Sequence, residues 1–567
     1  MNGSRSATNP VAALPKLCGA DIELGNFIMG AVQPGGSSYE ASRALLAKMH
    51  GFPLRHPNGN SYPYGTHSYS AYSPYGRSPR PYVGFDSTGD TSSYNPQEVE
   101  RRFLSNNGGA AYIDLNHVEL CIPEVLSAFD HVAAWHGMLR VARAALHAAN
   151  DGRPAEDRVK VLVNNSDGRG NSYGSHLNFL ISRRAFDNLF CRKAHYLQLL
   201  ASFQVSSMIL TGQGKVGSEN GRPDAAYQIS QRADFFVTLQ GSQTTQDRPL
   251  VNSRDEALCG KLRYDDPAPA RLHVIFFDNA LAHGSALFRV GPMQLILTLL
   301  ELGLVNTRLA LDDPIDSVWR YSHDPMLRVR AELITGKRLS AVELQSAYLE
   351  EVKRHAARGV FEGIVPRADE IIALWEDTVT KLARKDWMAA APRLDWIMKL
   401  MTIDRAMDQR PELSWTSPEV KVIDMLYSDL DVDGLYWSYE ADGFAEQLVP
   451  AERIAYFTEN PPEDTRAWLR SALLRRANPA TVVSVDWDEI TFKLRGKHNW
   501  SYFRTVDLAD PLRGTKADVE SLFQQCADFD DLLDALESRP AGEPPITETL
   551  VTNRKKENTN AIPATIG

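Results

Sequence analysis

Alternating polar and apolar side chains between residues 110 and 116 constrain the fold of this 567-residue chain more than any other feature. Side chains two positions apart on a β-strand lie on the same face. Tyr112, Asp114 and Asn116 are therefore predicted to share one face, while the apolar residues between them, including Leu115, point into a core. An edge strand with a solvated face shows the same alternation. The stretch thus predicts a strand whose polar face lines either solvent or a cavity.

A second short segment, CGADIELG, carries two acidic residues at strand spacing. Asp21 and Glu23 are two positions apart, so both carboxylates are predicted to lie on one face of a strand. Like charges side by side repel each other, and inside a protein they need a cation between them. Mg²⁺ prefers oxygen ligands of this kind. The segment is consistent with either a solvated pair at a sheet edge or a magnesium site.

Other predicted strands also place polar side chains on a single face beside a hydrophobic run. One strand carries His176 and Asn178, and a later strand carries Arg271 and His273, with Asp278 near its end. One such face is common in proteins, but several in one chain suggest a sheet whose concave side is a polar active site.

Composition indicates a globular protein with more than one domain. The chain is 43% hydrophobic and 23% charged, and its length exceeds that of one ordinary core. The net charge of −10, without a local basic patch, argues against a nucleic-acid partner. We find no run of about 18 apolar residues and no apolar targeting segment at the N-terminus, so neither membrane spanning nor export is predicted.

The cysteines bear on the cellular compartment. Five of them are scattered through the chain without a CxxC pair. An odd and dispersed set favours reduced thiols over a disulfide framework or a zinc site. The predicted location is therefore cytoplasmic.

Changes in composition along the chain predict its domain organisation. Residues 1–16 are predicted to be a flexible leader, and residues 538–567 a disordered tail. Between them we expect a large domain at 17–440 and a small α/β domain at 441–537. Within the large domain, residues 53–95 are rich in Gly, Ser, Pro, Tyr and Asn. That composition predicts a long mobile loop, which is either a lid over a site or a plain insertion.

Two arginines stand near the start of a predicted helix in the small domain. Arg466 and Arg470 follow the sequence PPEDT. Exposed N–H groups at a helix start and guanidinium groups together favour an anion. An ordinary helix with surface arginines has the same composition, and both readings remain open.

Taken together, these motifs resemble those of the Pup ligase and Pup deamidase/depupylase family, relatives of glutamine synthetase that act on a prokaryotic ubiquitin-like protein. The resemblance runs from about residue 17 to residue 523. It rests on the segments GADIELG, YIDLNHVELCIPE, NNSDGRGNSYGSHLNFLI, QISQRADFF and PPEDTRAWLR.

The resemblance implies an α+β fold: a curved antiparallel β-sheet backed by helices, as in glutamine synthetase, that binds ATP, or ADP plus phosphate, and Mg²⁺. It implies a catalytic aspartate at Asp114. The residues implied to lie at the metal end are Asp21, Glu23, Tyr112 and Glu119. Those implied to hold nucleotide or phosphate are His176, Asn178, Arg232, His273, Arg466 and Arg470.

The implied chemistry runs in one of two directions. A deamidase or depupylase cleaves a side-chain amide or isopeptide bond of the modifier, whereas a ligase uses ATP to join a modifier glutamate to an amine. The insertion at 53–95 and the wording PPEDTRAWLR favour the deamidase direction. A ligase, or a catalytically weakened protein that only binds the modifier, remains an alternative. The implied partners are a Pup-like modifier and its conjugates, and a link to a proteasome-like protease stays open.

Three positions depart from the family's pattern. Leu177 replaces a glutamate between His176 and Asn178, and Ala280 and His283 stand where the family usually has Asn and Glu. If the replaced side chains are ligands, the number of bound metal ions differs here.

Overall fold

The structure is a computed structural model that describes residues 13–31, 34–49, 52–53, 101–256, 258–259, 269–495 and 501–538. Nearly all of the predicted loop at 53–95, most of the leader and all but the first residue of the tail lie outside these ranges. The strands are β1 Cys18–Glu23, β2 Gly25–Ile28, β3 Phe52–Pro53, β4 Arg102–Phe103, β5 Ala110–Asp114, β6 His117–Cys121, β7 Val159–Leu162, β8 Ser175–Ser182, β9 Lys215–Val216, β10 Tyr227–Gln228, β11 Phe236–Gly241, β12 Arg248–Asn252, β13 Pro269–Val274, β14 Arg330–Glu332, β15 Arg338–Ser340, β16 Val482–Val485, β17 Glu489–Arg495 and β18 Ser501–Asp507.

The α-helices are Pro34–Leu46, Ala128–Asn150, Arg183–Asp187, Ala194–Thr211, His283–Leu302, Pro314–Ser322, Ala341–Ala356, Ala368–Arg384, Trp387–Ala390, Asp395–Gln409, Pro418–Tyr427, Leu435–Ala441, Ala451–Glu459, Ala467–Arg476, Lys516–Gln525 and Phe529–Glu537. The longest, Ala128–Asn150, begins after Ser127, whose side chain accepts a hydrogen bond from the Phe129 N–H and so caps the helix.

The centre of the molecule is a seven-stranded sheet in the order β13-β8-β1-β6-β5-β4-β3. Every neighbouring pair in it is antiparallel. Helices cover one face of this sheet, so the predicted α+β class, with an antiparallel sheet backed by helices, is confirmed.

Alternation along the central strands separates a polar face from an apolar face. In β1, the fully buried residues Ala20 and Ile22 alternate with Asp21 and Glu23, which are only partly buried. The apolar face joins one large core with helices Ala128–Asn150, Ala194–Thr211 and His283–Leu302. Burial of one face in this way sets the register, because a slip by one residue would turn the carboxylates into the core.

Helix His283–Leu302 is the one helix in the described ranges that is long and apolar enough to cross a membrane. In this structure 94% of its most apolar window is buried inside the protein. It is therefore accounted for as a core helix packed under the sheet.

A second, smaller core lies in the C-terminal part of the chain. It joins helix Ala467–Arg476, strands β16 to β18 and the last two helices, and it reaches Phe103 and Cys121 of the central sheet. Ile454 and Phe457 still belong to the large core. The division between the two cores thus lies after residue 457, and the domain boundary at 441 stays a prediction.

The hairpin between β5 and β6 corrects one expectation. β5 ends at Asp114, and the next two residues form the turn, Leu115 with φ 51° and Asn116 with φ 148°. Leu115 is 70% exposed, so the prediction that it points into the core is wrong. The alternation stops one residue earlier than expected because the chain reverses there, which a period-two pattern does not reveal.

Candidate active site

Strand pairing brings the predicted metal-binding residues together on the polar face. Glu23 of β1 lies opposite Glu119 of β6, and Glu119 lies opposite Tyr112 of β5. On the other side of β1, Asp21 lies opposite His176 of β8. Residues far apart in the chain thus meet across neighbouring strands.

Two overlapping groups on this face have the geometry of a metal site. In each of them the potential ligand atoms all lie within 4.8 Å of one another, and Glu119 belongs to both. The first group consists of Glu23, Asp114 and Glu119, and the second consists of Asp21, Glu119 and Cys121. Sequence reasoning missed Cys121, although its spacing of two from Glu119 was a usable signal.

The Tyr112 hydroxyl donates a hydrogen bond of 2.7 Å to Oε1 of Glu119. Burial, followed by the nearby Cys121 and Glu119, raises the pKa of Tyr112 well above its usual range. The phenol therefore stays protonated and orients Glu119, so the structure favours a supporting role for Tyr112.

Without a cation, burial and mutual repulsion disfavour the ionised form of the crowded carboxylates. Burial, followed by the charge of Asp114, raises the pKa of Glu23 to about 7. Burial and the neighbouring carboxylates Asp114, Asp21 and Glu23 raise the pKa of Glu119 well above its usual range. A divalent cation between these oxygens would offset both effects. The donor set, mostly carboxylate oxygen, fits Mg²⁺.

The glycine-rich segment before β8 approaches the same cluster. The Gly174 N–H donates to Oε2 of Glu23 at 2.5 Å. A Cβ atom at Gly174 would overlap both Glu23 and the His176 ring. Glycine is therefore required here for close approach of the backbone to the carboxylates.

Beyond Asp21, the polar face changes from acidic to basic. Asn178 donates to Asp21 at 3.3 Å, and its amide oxygen lies 2.9 Å from Nδ1 of His273. Arg271 contacts both Asn178 and His273, and it also forms an ion pair with Glu256. Nε2 of His273 is buried and has no hydrogen-bond partner in the described structure.

Arg232 is almost fully buried and is held in place by Asp278. The Asp278 carboxylate accepts the backbone N–H groups of Gln213, Gln231 and Arg232, which fixes the loop. The Arg232 guanidinium donates to the Tyr173 and Ile275 carbonyls, while its Nε has no partner. Burial, followed by Arg248, lowers the pKa of Arg232 to about 9, so the side chain remains a cation at neutral pH.

Arg466 and Arg470 are both engaged by a carboxylate of the protein itself. Both pair with the buried carboxylate of Glu124, at 2.7 Å and 2.6 Å. Arg470 also donates to the Gly108 and Trp487 carbonyls and so uses all three guanidinium nitrogens. These arginines cross-link the two cores, and their predicted role in nucleotide binding stays a prediction. The sequence reveals the two arginines, but it does not reveal that the distant Glu124 pairs with them.

The three departures from the family's pattern lie off the polar face. Leu177 is buried in the apolar core, on the face of β8 opposite His176. Ala280 is also in that core, where its carbonyl accepts the Trp135 indole N–H at 2.8 Å. The expected loss of metal ligands at these positions therefore does not follow, because their side chains do not face the cluster.

His283 stands in a separate group with His136 and Glu440, whose potential ligand atoms lie within 4.8 Å of one another. Nδ1 of His283 accepts the Leu448 N–H at 3.2 Å. That bond puts the proton of a neutral ring on Nε2, where a metal would need a lone pair. The group is therefore better described as a buried histidine pair.

Comparison with known proteins identifies relatives along most of the chain. A model of the Pup-ligase protein family matches residues 36–491. The Pup deamidase/depupylase of Mycolicibacterium smegmatis is 35% identical over 459 residues, which cover 80% of this chain and 88% of that protein. The Pup–protein ligase of Acidimicrobium ferrooxidans is 33% identical over 425 residues, 73% of this chain and 88% of the relative.

Two solved structures share the fold. The complex between Pup and its ligase PafA superposes with a TM-score of 0.68 at 21% identity, covering 92% of this chain and 91% of that one. The ADP complex of the Pup ligase PafA superposes with a TM-score of 0.64 at 23% identity, over 78% and 91%. At these identities the likeness shows the architecture.

Proposed function

Because the chain belongs to the Pup-ligase protein family, we propose that it is an ATP-binding, Mg²⁺-dependent Pup deamidase and depupylase. The proposed reaction is hydrolysis of a side-chain amide of the modifier, or of the isopeptide bond that joins the modifier to a lysine. The observation that carries the proposal is the grouping of Asp114 with Glu23 and Glu119 on the polar face.

The choice of direction rests on sequence similarity. The relatives named Pup deamidase/depupylase match 80–81% of the chain at 35% identity, and the relatives named Pup–protein ligase match 64–79% of it at 30–33% identity. The predicted insertion at 53–95 favours the same direction.

Three carboxylates would hold magnesium: Glu119 together with Glu23 in one of the two groups, and Glu119 together with Asp21 in the other. When bound, the ion supplies positive charge that offsets the crowded carboxylates and polarises substrate or phosphate oxygens. Tyr112 would keep Glu119 oriented through its hydrogen bond. Gly174 leaves room for Glu23 and donates its backbone N–H to it.

The basic half of the polar face would bind the nucleotide phosphates. Arg232 supplies a buried cation with an unpartnered Nε, and His273 supplies an unpartnered Nε2. His176 lies opposite Asp21 of the acidic cluster, and its ring centroid is 5.0 Å from that of His273. Asn178 positions His273 and Arg271. We leave Arg466 and Arg470 out of this set because Glu124 already pairs with them.

Asp114 would carry out the acyl chemistry. In the net reaction the carbon–nitrogen bond breaks, a carbon–oxygen bond to water oxygen forms, and the nitrogen leaves as ammonia or a lysine amine after gaining a proton. Asp114 either attacks the carbonyl carbon itself and is released by water, or takes the proton from an attacking water. Both routes need its carboxylate to be ionised and held in one position.

The test uses purified protein, Mg-ATP and a Pup-like modifier ending in glutamine. Mass spectrometry is expected to show the small gain that accompanies replacement of an amide nitrogen by oxygen. A modifier–lysine conjugate is expected to release free modifier under the same conditions. If neither change occurs with the wild-type protein, the proposed function is wrong.

Ligation is the second candidate, because other relatives are named Pup–protein ligase. In that direction a modifier glutamate is phosphorylated by ATP, and an amine then displaces the phosphate. ADP production that depends on both a modifier ending in glutamate and an acceptor amine would favour this candidate. A protein that only binds the modifier would show neither reaction, and Asp114→Asn would leave its binding unchanged.

We further propose a cytoplasmic location, with a Pup-like modifier and its conjugates as partners. All five cysteines are free thiols in the structure, as expected in a reducing compartment.

A further inference from the structure

The turn that carries Asp114 adopts an unfavourable backbone conformation. Leu115 and Asn116 both have positive φ angles, which residues with a side chain rarely adopt. The Asn116 N–H donates to the Asp114 carbonyl at 2.7 Å, which closes the turn tightly. Such a conformation persists only where the surrounding structure holds it.

A chain of buried polar side chains holds this turn. The Ser42 hydroxyl, on helix Pro34–Leu46, donates to the Asn116 carbonyl at 2.7 Å. The Asn26 side-chain amide donates to Ser42 Oγ at 2.8 Å and to the Ser38 carbonyl at 2.7 Å. Its oxygen accepts the Val118 N–H, just beyond the turn, at 3.0 Å.

Both side chains are fully committed to these contacts. Asn26 is 2% exposed and Ser42 is 0% exposed. Losing one of these hydrogen bonds is therefore costly, because water cannot readily take the place of the missing partner. Asn26 uses both of its side-chain N–H donors and its side-chain oxygen in hydrogen bonds. These three bonds fix the orientation of its amide group. Ser42 accepts from Asn26 and donates to Asn116, so its hydroxyl proton is directed at the turn.

We propose that Asn26 and Ser42 are positioning residues that hold the Asp114 carboxylate in register with Glu23 and Glu119. The proposal rests on the proposed function of Asp114. Without the Ser42 hydroxyl, the Asn116 carbonyl loses this buried partner and the turn relaxes toward ordinary φ angles. Asp114, directly before the turn, then moves relative to the cluster, and displacements of about 1 Å are costly in catalysis.

The expected signature is a loss in the chemical step and not in binding. Ser42→Ala is expected to lower kcat by up to about 100-fold, with KM changed far less. Ser42→Thr keeps a hydroxyl in the same place and is expected to recover most of the lost kcat. Hydrogen exchange of the amides at 114–118 is expected to increase in Ser42→Ala.

Ser202→Ala is the matched control. Ser202 is also 0% exposed, donates to a backbone carbonyl, that of Gln198, and accepts a backbone N–H, that of Leu311. It lies in the scaffold helix Ala194–Thr211, so its loss is expected to lower the melting temperature without lowering kcat.

The outcomes separate this inference from the proposed function. A wild-type protein without activity would count against the proposed function alone. The positioning role could still be tested, because hydrogen exchange of the amides at 114–118 can be measured without a reaction. Wild-type kcat or unchanged exchange in Ser42→Ala would overturn the positioning role. An equal loss of kcat in Ser202→Ala would overturn it too, because the effect would then reflect stability alone.

Discussion

At the scale of single residues, Asp114 differs from the other carboxylates of the polar face by its position. It is the last residue of β5 and stands at a turn, whereas Asp21 and Glu119 lie within strands paired on both sides. Glu23 ends β1, but it is paired with Glu119 on one side and bonded to Gly174 on the other. The strand residues are thus fixed by the ladder and suited to hold an ion. The residue at the end of the strand is suited to meet a substrate.

The first prediction concerns Asp114→Asn. The amide is neither a nucleophile nor a base, so kcat is expected to fall by about 10²–10⁴-fold. The charge of Asp114 is one cause of the raised pKa of Glu119, so the metal-free variant is expected to be at least as stable as the wild type. Turnover and thermal melting in chelator measure the two effects.

Asp316→Asn is a suitable control, because Asp316 forms a half-exposed ion pair with Arg320 on a surface helix. It is expected to change neither turnover nor stability appreciably. Retained turnover in Asp114→Asn would exclude this residue as the catalytic group.

The second prediction concerns Arg232→Lys. The Arg232 guanidinium donates to the Tyr173 and Ile275 carbonyls and still has its Nε–H free for a ligand. Lysine keeps the charge but lacks this planar set of donors. ADP affinity is expected to fall by about 1–3 kcal/mol, as for loss of charge-assisted hydrogen bonds. Calorimetry with Mg-ADP measures it.

The surface substitution Arg330→Lys, at an exposed pair with Glu343, serves as the comparison. Equal ADP affinity in both variants and the wild type would remove Arg232 from the proposed nucleotide site.

At the scale of elements, the site depends on how closely the glycine-rich segment approaches β1. The Glu23 N–H donates to the Gly174 carbonyl at 3.2 Å, and the Gly174 N–H donates back to the Glu23 side chain. This exchange continues the β1–β8 ladder past the end of β8. It brings the Gly174 backbone into contact with the Glu23 carboxylate.

The third prediction is that Gly174→Ala disrupts the metal end. A methyl group there overlaps Glu23 and His176, so either side chain must move, at a cost of about 1–3 kcal/mol in stability. We expect weaker stabilisation by Mg²⁺ and lower kcat. Thermal melting with and without Mg²⁺ tests the first effect.

Gly241→Ala provides the matched control, since a methyl group at Gly241 meets its nearest atoms at ordinary contact distances of 3.6 Å and beyond. If Gly174→Ala responds to Mg²⁺ as the wild type and Gly241→Ala do, the proposed metal site is misplaced.

At the scale of the whole molecule, Glu124 joins the two cores. It follows β6 and pairs with Arg466 and Arg470, which begin the C-terminal core. Burial alone would raise the pKa of Glu124, but Arg470 and Arg466 outweigh burial and hold it at about 2. The docking of the C-terminal core thus depends on an ionised carboxylate.

The fourth prediction is a loss of stability in acid. The folded pKa of about 2 lies below the ordinary value of 4.5. The contribution of Glu124 is therefore complete above about pH 4.5 and is lost as the pH falls towards 2. It amounts to about 3 kcal/mol. Urea unfolding at a series of pH values measures it.

Glu124→Gln is expected to remove this part of the pH dependence and to be less stable at neutral pH, because two buried arginines lose their partner. Identical pH slopes for the variant and the wild type would show that Glu124 does not link the cores in this way.

Much of the site was predictable because its signals are local. The spacing of two between Asp21 and Glu23 and between Tyr112 and Asp114 is enough to place each pair on one face, since side chains alternate along any strand. The class of fold was implied by the resemblance of whole motifs to a known family.

Tertiary structure decided which of these faces meet and which charges are already paired. Pairing of β1 with β6 and β8 puts Glu23 opposite Glu119 and Asp21 opposite His176. The same long-range packing pairs Arg466 and Arg470 with Glu124 and brings the Ser42 hydroxyl to the Asn116 carbonyl. Periodicity along the chain determines the direction of a side chain, whereas its partner depends on contacts between residues tens to hundreds of positions apart, which no local pattern records.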